Sequence, residues 1–393
     1  MKLKQGILLS VLCILTTVSS GCKDKNNNDS DSNDYENLEF TEDFTIENSN
    51  PKSVQTFELS TKPSLTGKEI CERFEATVEQ YFPGVFSADE KTDLYAFVGN
   101  DKNGETINGK VAEYRNAILN DEIPTPNLWL TSNKAMIQMD ANGGTQTITG
   151  PVAYNMDDIN QSSIGMYCAA DENDIVEKIH IPPDGFKGDQ EYALKDGKVK
   201  LADAISFTKA FLNESFDKDV ANPDLIADIT DVWVVDMGDG IYGYHFWLTT
   251  TYRDIRMDTY PMDTAIGFDS DTSTCKLYSL YPGYAFMIEK GKFDSIMAYG
   301  YKRACNIGNQ VENDTLISYE EAKKILSESI STVSKLSVSR AELVYTPYKK
   351  TEKNNMDLIV NVAWRFTALN PLDAMGYICY VNAVSGEFDY YKY

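Results

Sequence analysis

The chain has 393 residues, with 36 Lys and Arg against 60 Asp and Glu, for a net charge of -24. A chain this acidic is repelled by nucleic acid and by anionic lipid, which excludes nucleic acid as a partner. Its length allows two or three domains. Once Cys13 and Cys22 are set aside (see below), Cys71, Cys168, Cys275, Cys305 and Cys379 remain, scattered and without Cys-x-x-Cys spacing; they exclude a disulfide framework or zinc site and read as buried apolar thiols.

The first segment carries Lys2 and Lys4, then an apolar run from Gly6 to Val18, then Ser19, Ser20 and Gly21 ahead of Cys22. This is the order of a secretory leader. The run is shorter than the roughly 20 residues that a hydrocarbon core of about 30 Å requires. A small residue directly before a cysteine at the end of such a run resembles the bacterial lipobox, although Ser19 stands where that family usually has Leu. The resemblance implies a signal peptide over 1–21, lipid on Cys22, and a lipid-anchored, extracytoplasmic location at the cell or outer membrane.

Residues 22–54 are expected to form a disordered acidic tether. Lys23–Asn37 holds five Asn and five acidic residues, and its only hydrophobic residue is Tyr35. Such a stretch buries too little surface to offset its ordering entropy. Fully extended, it reaches about 50 Å.

Residues 55–190 read as an N-terminal α+β domain. Thr66 and Glu69 form a capping box, and Ile70, Phe74, Thr77, Val78 and Tyr81 follow at helical spacing up to Pro83-Gly84. Asp93–Gly99, Leu128–Asp140 and Thr145–Met156 read as strands, with Asn142-Gly143-Gly144 as a turn and Asp101–Gly109 as a loop. Pro182-Pro183-Asp184-Gly185 and the polar stretch Gly188–Lys198 mark a boundary.

The second half contains a duplication. Ala204, Phe207, Thr208, Phe211 and Leu212 line one face of a helix, and Ala322, Ile325, Leu326, Ser329 and Ile330 repeat that spacing behind a Ser318/Glu321 capping box. β-prone runs follow in each copy: Val232–Met237 and Tyr242–Thr251, then Ala341–Tyr345 and Leu358–Thr367. Tyr244, Phe246 and Leu248 alternate in the first copy; Val362, Trp364 and Phe366 alternate in the second. A further strand pair is expected at 265–281 and at 377–393, around Asp269, Ser270 and Asp271 and around Asn382, Ser385 and Gly386. The fold class is therefore α+β, with tandem units of one helix packed on an antiparallel sheet over 198–290 and 315–393.

In the second copy, Ser318-Tyr319-Glu320-Glu321-Ala322, the strands after it, and Tyr380-Val381-Asn382-Ala383-Val384-Ser385-Gly386-Glu387 resemble the PepSY domain, whose closing hairpin reads Tyr-Val-Asp-Ala-x-Thr-Gly-Glu. The resemblance covers about 75 residues and extends more weakly to the preceding copy. It implies a domain without a catalytic centre that inhibits or regulates a partner. Glycine in the hairpin supplies positive φ.

Few residues suggest chemistry. His180 and His245 are the only histidines, and neither stands in a nucleophile motif. Asp269-x-Asp271 and Asp171-Glu172-Asn173-Asp174 offer oxygen ligands but lack the EF-hand spacing, so no metal and no cofactor is expected. The expected function is a lipid-anchored, non-enzymatic envelope protein that binds or regulates another envelope protein or peptide. The binding aromatics are Trp233, Trp247 and Trp364. Two alternatives stand: a carbohydrate-binding surface lipoprotein, which would use these with Trp129 and the tyrosines, and a hydrolase with paired carboxylates in a cleft.

Overall fold

The structure is a computed structural model. It describes residues 37–47, 54–61, 65–124, 126–132, 134–139, 145–149, 174–215, 222–258, 283–299, 305–313, 315–330, 335–351, 354–371 and 375–392. The leader, Cys22 and the first part of the tether lie outside these residues.

Strands β1 (Leu38–Glu47) and β2 (Val54–Thr61) come first. Helix α1 (Gly67–Tyr81) starts at the predicted box: Glu69 N donates to Thr66 Oγ1 at 3.2 Å and Thr66 N donates to Glu69 Oε2 at 2.8 Å. A second box, Ser87 with Glu90, opens α2 (Ala88–Leu94), whose 7 residues are too few to show an apolar stripe in the sequence. Strands β3 (Tyr95–Asn100) and β4 (Thr106–Lys110) form a hairpin. The loop expected over Asp101–Gly109 is therefore confined to its first half, where Asp101 Oδ1 accepts from Asn103 N and Glu105 N, each at 2.8 Å. Helix α3 (Val111–Leu119) follows. The single strand expected over Leu128–Asp140 is two, β5 (Asn127–Thr131) and β6 (Met136–Met139), and β7 (Thr145–Thr149) comes next.

After β8 (Ile175–His180), the polar stretch expected as a boundary forms a hairpin of β9 (Glu191–Leu194) and β10 (Gly197–Lys200). Helix α4 (Leu201–Ala210) ends in one π-helical turn, Phe211–Ser215. Then come β11 (Leu225–Asp236), β12 (Tyr242–Tyr252), β13 (Ile255–Arg256), β14 (Tyr284–Met287), β15 (Ser295–Tyr299) and β16 (Cys305–Asn313). Helix α5 (Tyr319–Ser329) begins at Ser318, whose Oγ accepts from Glu321 N at 3.2 Å. The chain closes with β17 (Leu336–Thr351), β18 (Asn354–Asn370), β19 (Met375–Asn382) and β20 (Phe388–Lys392).

These elements make a mixed α+β molecule with two main sheets. The long sheet runs β4-β3-β5-β6-β7-β15-β14-β12-β11-β8, with β13 beside β12. The C-terminal sheet runs β1-β17-β18-β19-β20, and β2 joins both β16 and β18. Among the described strands, all pairs are antiparallel except β1 with β17. Helix α1 packs on β5 and β6, α4 on β11, and α5 on β19 and β20.

The strand order departs from the expected division of the chain. Leu38–Glu47, assigned to the tether, is a strand anchored by the buried Leu38 and paired with β17. Residues 55–190 and 198–290 do not form separate sheets: Ile179 on β8 pairs with Val232 on β11, and one hydrophobic core runs from Ile70 through Leu128 and Phe246 to Ile296. Pro182-Pro183 ends β8 without ending that core. Strand β2, inside the expected N-terminal domain, belongs to the C-terminal sheet. The strand pair expected at 265–281 lies outside the described residues; beside β12, the place β19 takes beside β18 is filled by β14. At the β19–β20 turn Gly386 has φ 75° and donates its N–H to Asn382 O at 2.9 Å. No described helix is long and apolar enough to cross a membrane.

Candidate functional site

Alternation along β12 sends Tyr244, Phe246 and Leu248 into the core and His245 and Trp247 to the opposite face of the long sheet. The register sets Trp233 of β11 between His245 of β12 and Lys178 of β8. The Trp233 and Trp247 rings meet edge to face, with centroids 4.8 Å apart at 71°. Lys178 Nζ lies 4.6 Å from the Trp233 ring centroid, a cation–π contact. Val176, at the bulge two residues earlier on β8, is 53% exposed. His245 sits beneath the patch, 4.2 Å from the Trp247 ring and 5.1 Å from Tyr284, and is buried. The predicted aromatics Trp233 and Trp247 are thus brought together, each half-buried.

Trp364 does not join them. It faces the core under α5, is 2% exposed, and donates Nε1–H to Ile317 O at 2.9 Å. Its expected binding role is corrected to a structural one, because the row Val362, Trp364, Phe366 is the inward face of β18. Trp129, on β5, lies several strands away from the pair.

A buried charge cluster joins the two sheets. The segment after β13 runs alongside β17, with Asp258 N donating to Tyr345 O at 2.7 Å. Arg365 of β18 pairs with Asp258, Nε to Oδ1 at 3.2 Å, and its Nη1 bonds Glu342 Oε1. Arg340 lies 3.6 Å from the same Glu342 oxygen, and the Tyr380 hydroxyl donates to Asp258. Burial pushes the Asp258 carboxyl up to about 6 against the pull of Arg365. Burial also opposes ionisation of Glu342, but the Arg340 and Arg365 guanidiniums hold its carboxyl at about 2. Alongside, His180 Nε2 lies 3.1 Å from Glu47 Oε1 of β1 and Nδ1 lies 3.2 Å from Asp231 Oδ1. A second buried pair, Arg256 Nε to Asp228 Oδ2 at 2.8 Å, holds β13 to β11, and Lys209 of α4 reaches the other Asp228 oxygen at 2.6 Å.

A cleft of about 480 Å³ opens between α1, α2 and α3, lined by Glu75, Glu79, Lys91, Tyr95, Val111 and Arg115 among others.

The histidines are placed by these contacts, His180 in the junction and His245 among rings. Cys71 and Cys379 are free and buried, and burial pushes their thiols up, to about 11 and about 12, which makes them poor nucleophiles. Among the described residues no group of three His, Cys, Asp or Glu converges on a common metal position. Asp269-x-Asp271 and Asp171 to Asn173 lie outside the described residues.

No family model, curated protein or solved structure matches the chain.

Asp258, Glu342 and Arg365 stand in no sequence motif. The available signal was a charge inside an apolar strand: Arg365 stands between Trp364 and Phe366, and Glu342 between Ala341 and Leu343. Such a residue needs a partner on the far face of the sheet, but that partner's identity is not local information.

Proposed function

We propose that this is a lipid-anchored, extracytoplasmic envelope protein, held to a bilayer through Cys22, that binds or regulates another envelope protein or peptide and has no catalytic centre of its own. The observation that carries this reading is the patch formed by Trp233, Trp247 and Lys178 on the face of the long sheet away from its core. Half-buried aromatic rings beside a cation make the kind of anchor that dominates protein recognition. The order α5, β17, β18, β19, β20, closing on the Asn382–Gly386 turn, supports a PepSY-like helix-on-sheet unit over 315–393; α4 with β11, β12 and β14 supports a second. The edge-to-face angle of the two tryptophans favours a peptide over a sugar, which stacks best on a flat, exposed ring. Among the described residues, the carboxyls raised to about 6, Asp258 and Asp294, are buried at the junction and in the β14–β15 turn rather than in the cleft, which weighs against the hydrolase reading.

Two measurements test it. Palmitate labelling and membrane fractionation of the full chain should both be lost in Cys22→Ser; retention at the membrane without Cys22 refutes the anchor. A partner cross-linked to the native chain in intact envelopes should be lost with the double variant Trp233→Ala, Trp247→Ala, while that variant still melts cooperatively and its urea midpoint falls only slightly. Turnover of a peptide or glycan by the purified chain would overturn the non-catalytic reading.

A further inference from the structure

The cleft between α1, α2 and α3 lies at the other end of the long sheet and on its core side, so it shares no residue with the aromatic patch. Its walls are segregated by charge. Helix α1 contributes Glu75 and Glu79, one turn apart on the same face, a like-charged spacing that disfavours an isolated helix. The facing walls contribute Lys91 from α2 and Arg115 from α3. The floor is apolar, made by the buried Val111 and Tyr95. Burial pushes the Tyr95 phenol up to about 12, which keeps that floor neutral.

We propose that this cleft binds a small zwitterion carrying a free ammonium and a free carboxylate on an apolar body, of the class of a dipeptide. The ammonium faces Glu75 and Glu79, and the carboxylate faces Arg115 and Lys91. The walls meet in two ion pairs: Arg115 Nη1 lies 2.7 Å from Glu75 Oε1, and Lys91 pairs with Glu79. All four side chains remain 30 to 52% exposed. Pairs this exposed are weak, screened by water, and exchange for ligand charges at little cost. Arg115 has five N–H donors and uses Nη1 on Glu75, so it can hold that carboxylate and accept a second one. The volume of about 480 Å³ falls in the usual range of small-molecule sites, about 300 to 1,000 Å³.

Calorimetric titration of the full chain with leucyl-alanine tests the inference. The expected result is saturable binding, weakened about tenfold or more when the amine is acetylated or the carboxylate amidated, since each cap removes one charged contact. Arg115→Gln and, separately, Glu79→Gln should weaken the free dipeptide by a similar factor while leaving the melting temperature and the capture of the envelope partner unchanged. No saturable binding at roughly 10 mM dipeptide, or equal binding of capped and free forms, overturns the inference and leaves the aromatic patch untouched.

Discussion

Arg365 and Asp258 form a buried ion pair, Nε to Oδ1 at 3.2 Å, between the central strand of the C-terminal sheet and the segment that leaves the long sheet. The same guanidinium bonds Glu342, so one cation serves two buried carboxylates from two parts of the chain. Arg340 supplies the second positive charge and Tyr380 a neutral donor. Buried charges persist only where they are paired and hydrogen-bonded. The junction therefore fixes how β13 and its following segment meet β17 and β18.

Arg365→Met removes the shared cation and leaves Asp258 to the Tyr380 hydroxyl and Glu342 to Arg340. We expect a loss of about 3–5 kcal/mol in urea unfolding, the usual result of breaking a buried ionic network from one side. Adding Asp258→Asn and Glu342→Gln to that variant should recover part of the loss. A single-variant cost below about 1 kcal/mol would mean the cluster is solvated.

His180 ties β8 to β1 through Glu47. Burial opposes its protonation, but the bonds to Asp231 and Glu47 outweigh burial and the nearby Arg340, leaving its pKa above the usual 6.5. A folded value above the unfolded one contributes stability that is fully present below the unfolded value and is lost as pH rises through the folded one. The stability gap between the native chain and His180→Asn should therefore be larger near about pH 5.5 than near about pH 9. Denaturant unfolding at the two pH values checks the sign.

Asp294 is buried in the β14–β15 turn and accepts from Ile288 N at 2.8 Å. Burial raises its carboxyl from 3.8 to about 6, so its ionisation destabilises the fold as pH climbs through that value. Asp294→Asn keeps an acceptor and removes the charge. It should raise stability near about pH 8 by roughly 1–2 kcal/mol and change little near about pH 4, as read from thermal melts across pH.

The tryptophans divide by role. Trp364→Ala should cost about 3–5 kcal/mol, from the cavity and the lost bond to Ile317 O. Trp233→Ala, at a half-buried position on the far face of the long sheet, should cost less than about 1.5 kcal/mol. Urea midpoints of the two variants, measured side by side, decide this.

The features legible in the sequence are those made by neighbours in the chain. Thr66 with Glu69 fixes the start of α1, and Ser318 begins α5, because an N-cap is closed by residues three positions away. The alternation of Tyr244, Phe246 and Leu248, and of Val362, Trp364 and Phe366, locates β12 and β18 and their buried faces, because strand side chains alternate by two wherever one face must be dry. Gly386 marks its turn because only glycine adopts positive φ there without strain.

The tertiary structure alone decided which elements belong together. Nothing in Val54–Thr61 says that it pairs with β16 and β18 rather than with the helix that follows it, and nothing in Thr145–Thr149 names β15 as its neighbour. Backbone hydrogen bonds are alike for every strand, so partner choice depends on how distant apolar faces fill a common core. The same holds for Asp258, Glu342 and Arg365, and for the four charges of the α1–α3 cleft. Each is an ordinary charged residue in its own segment, and only the packing of remote segments gives it a partner and a surrounding that changes its chemistry.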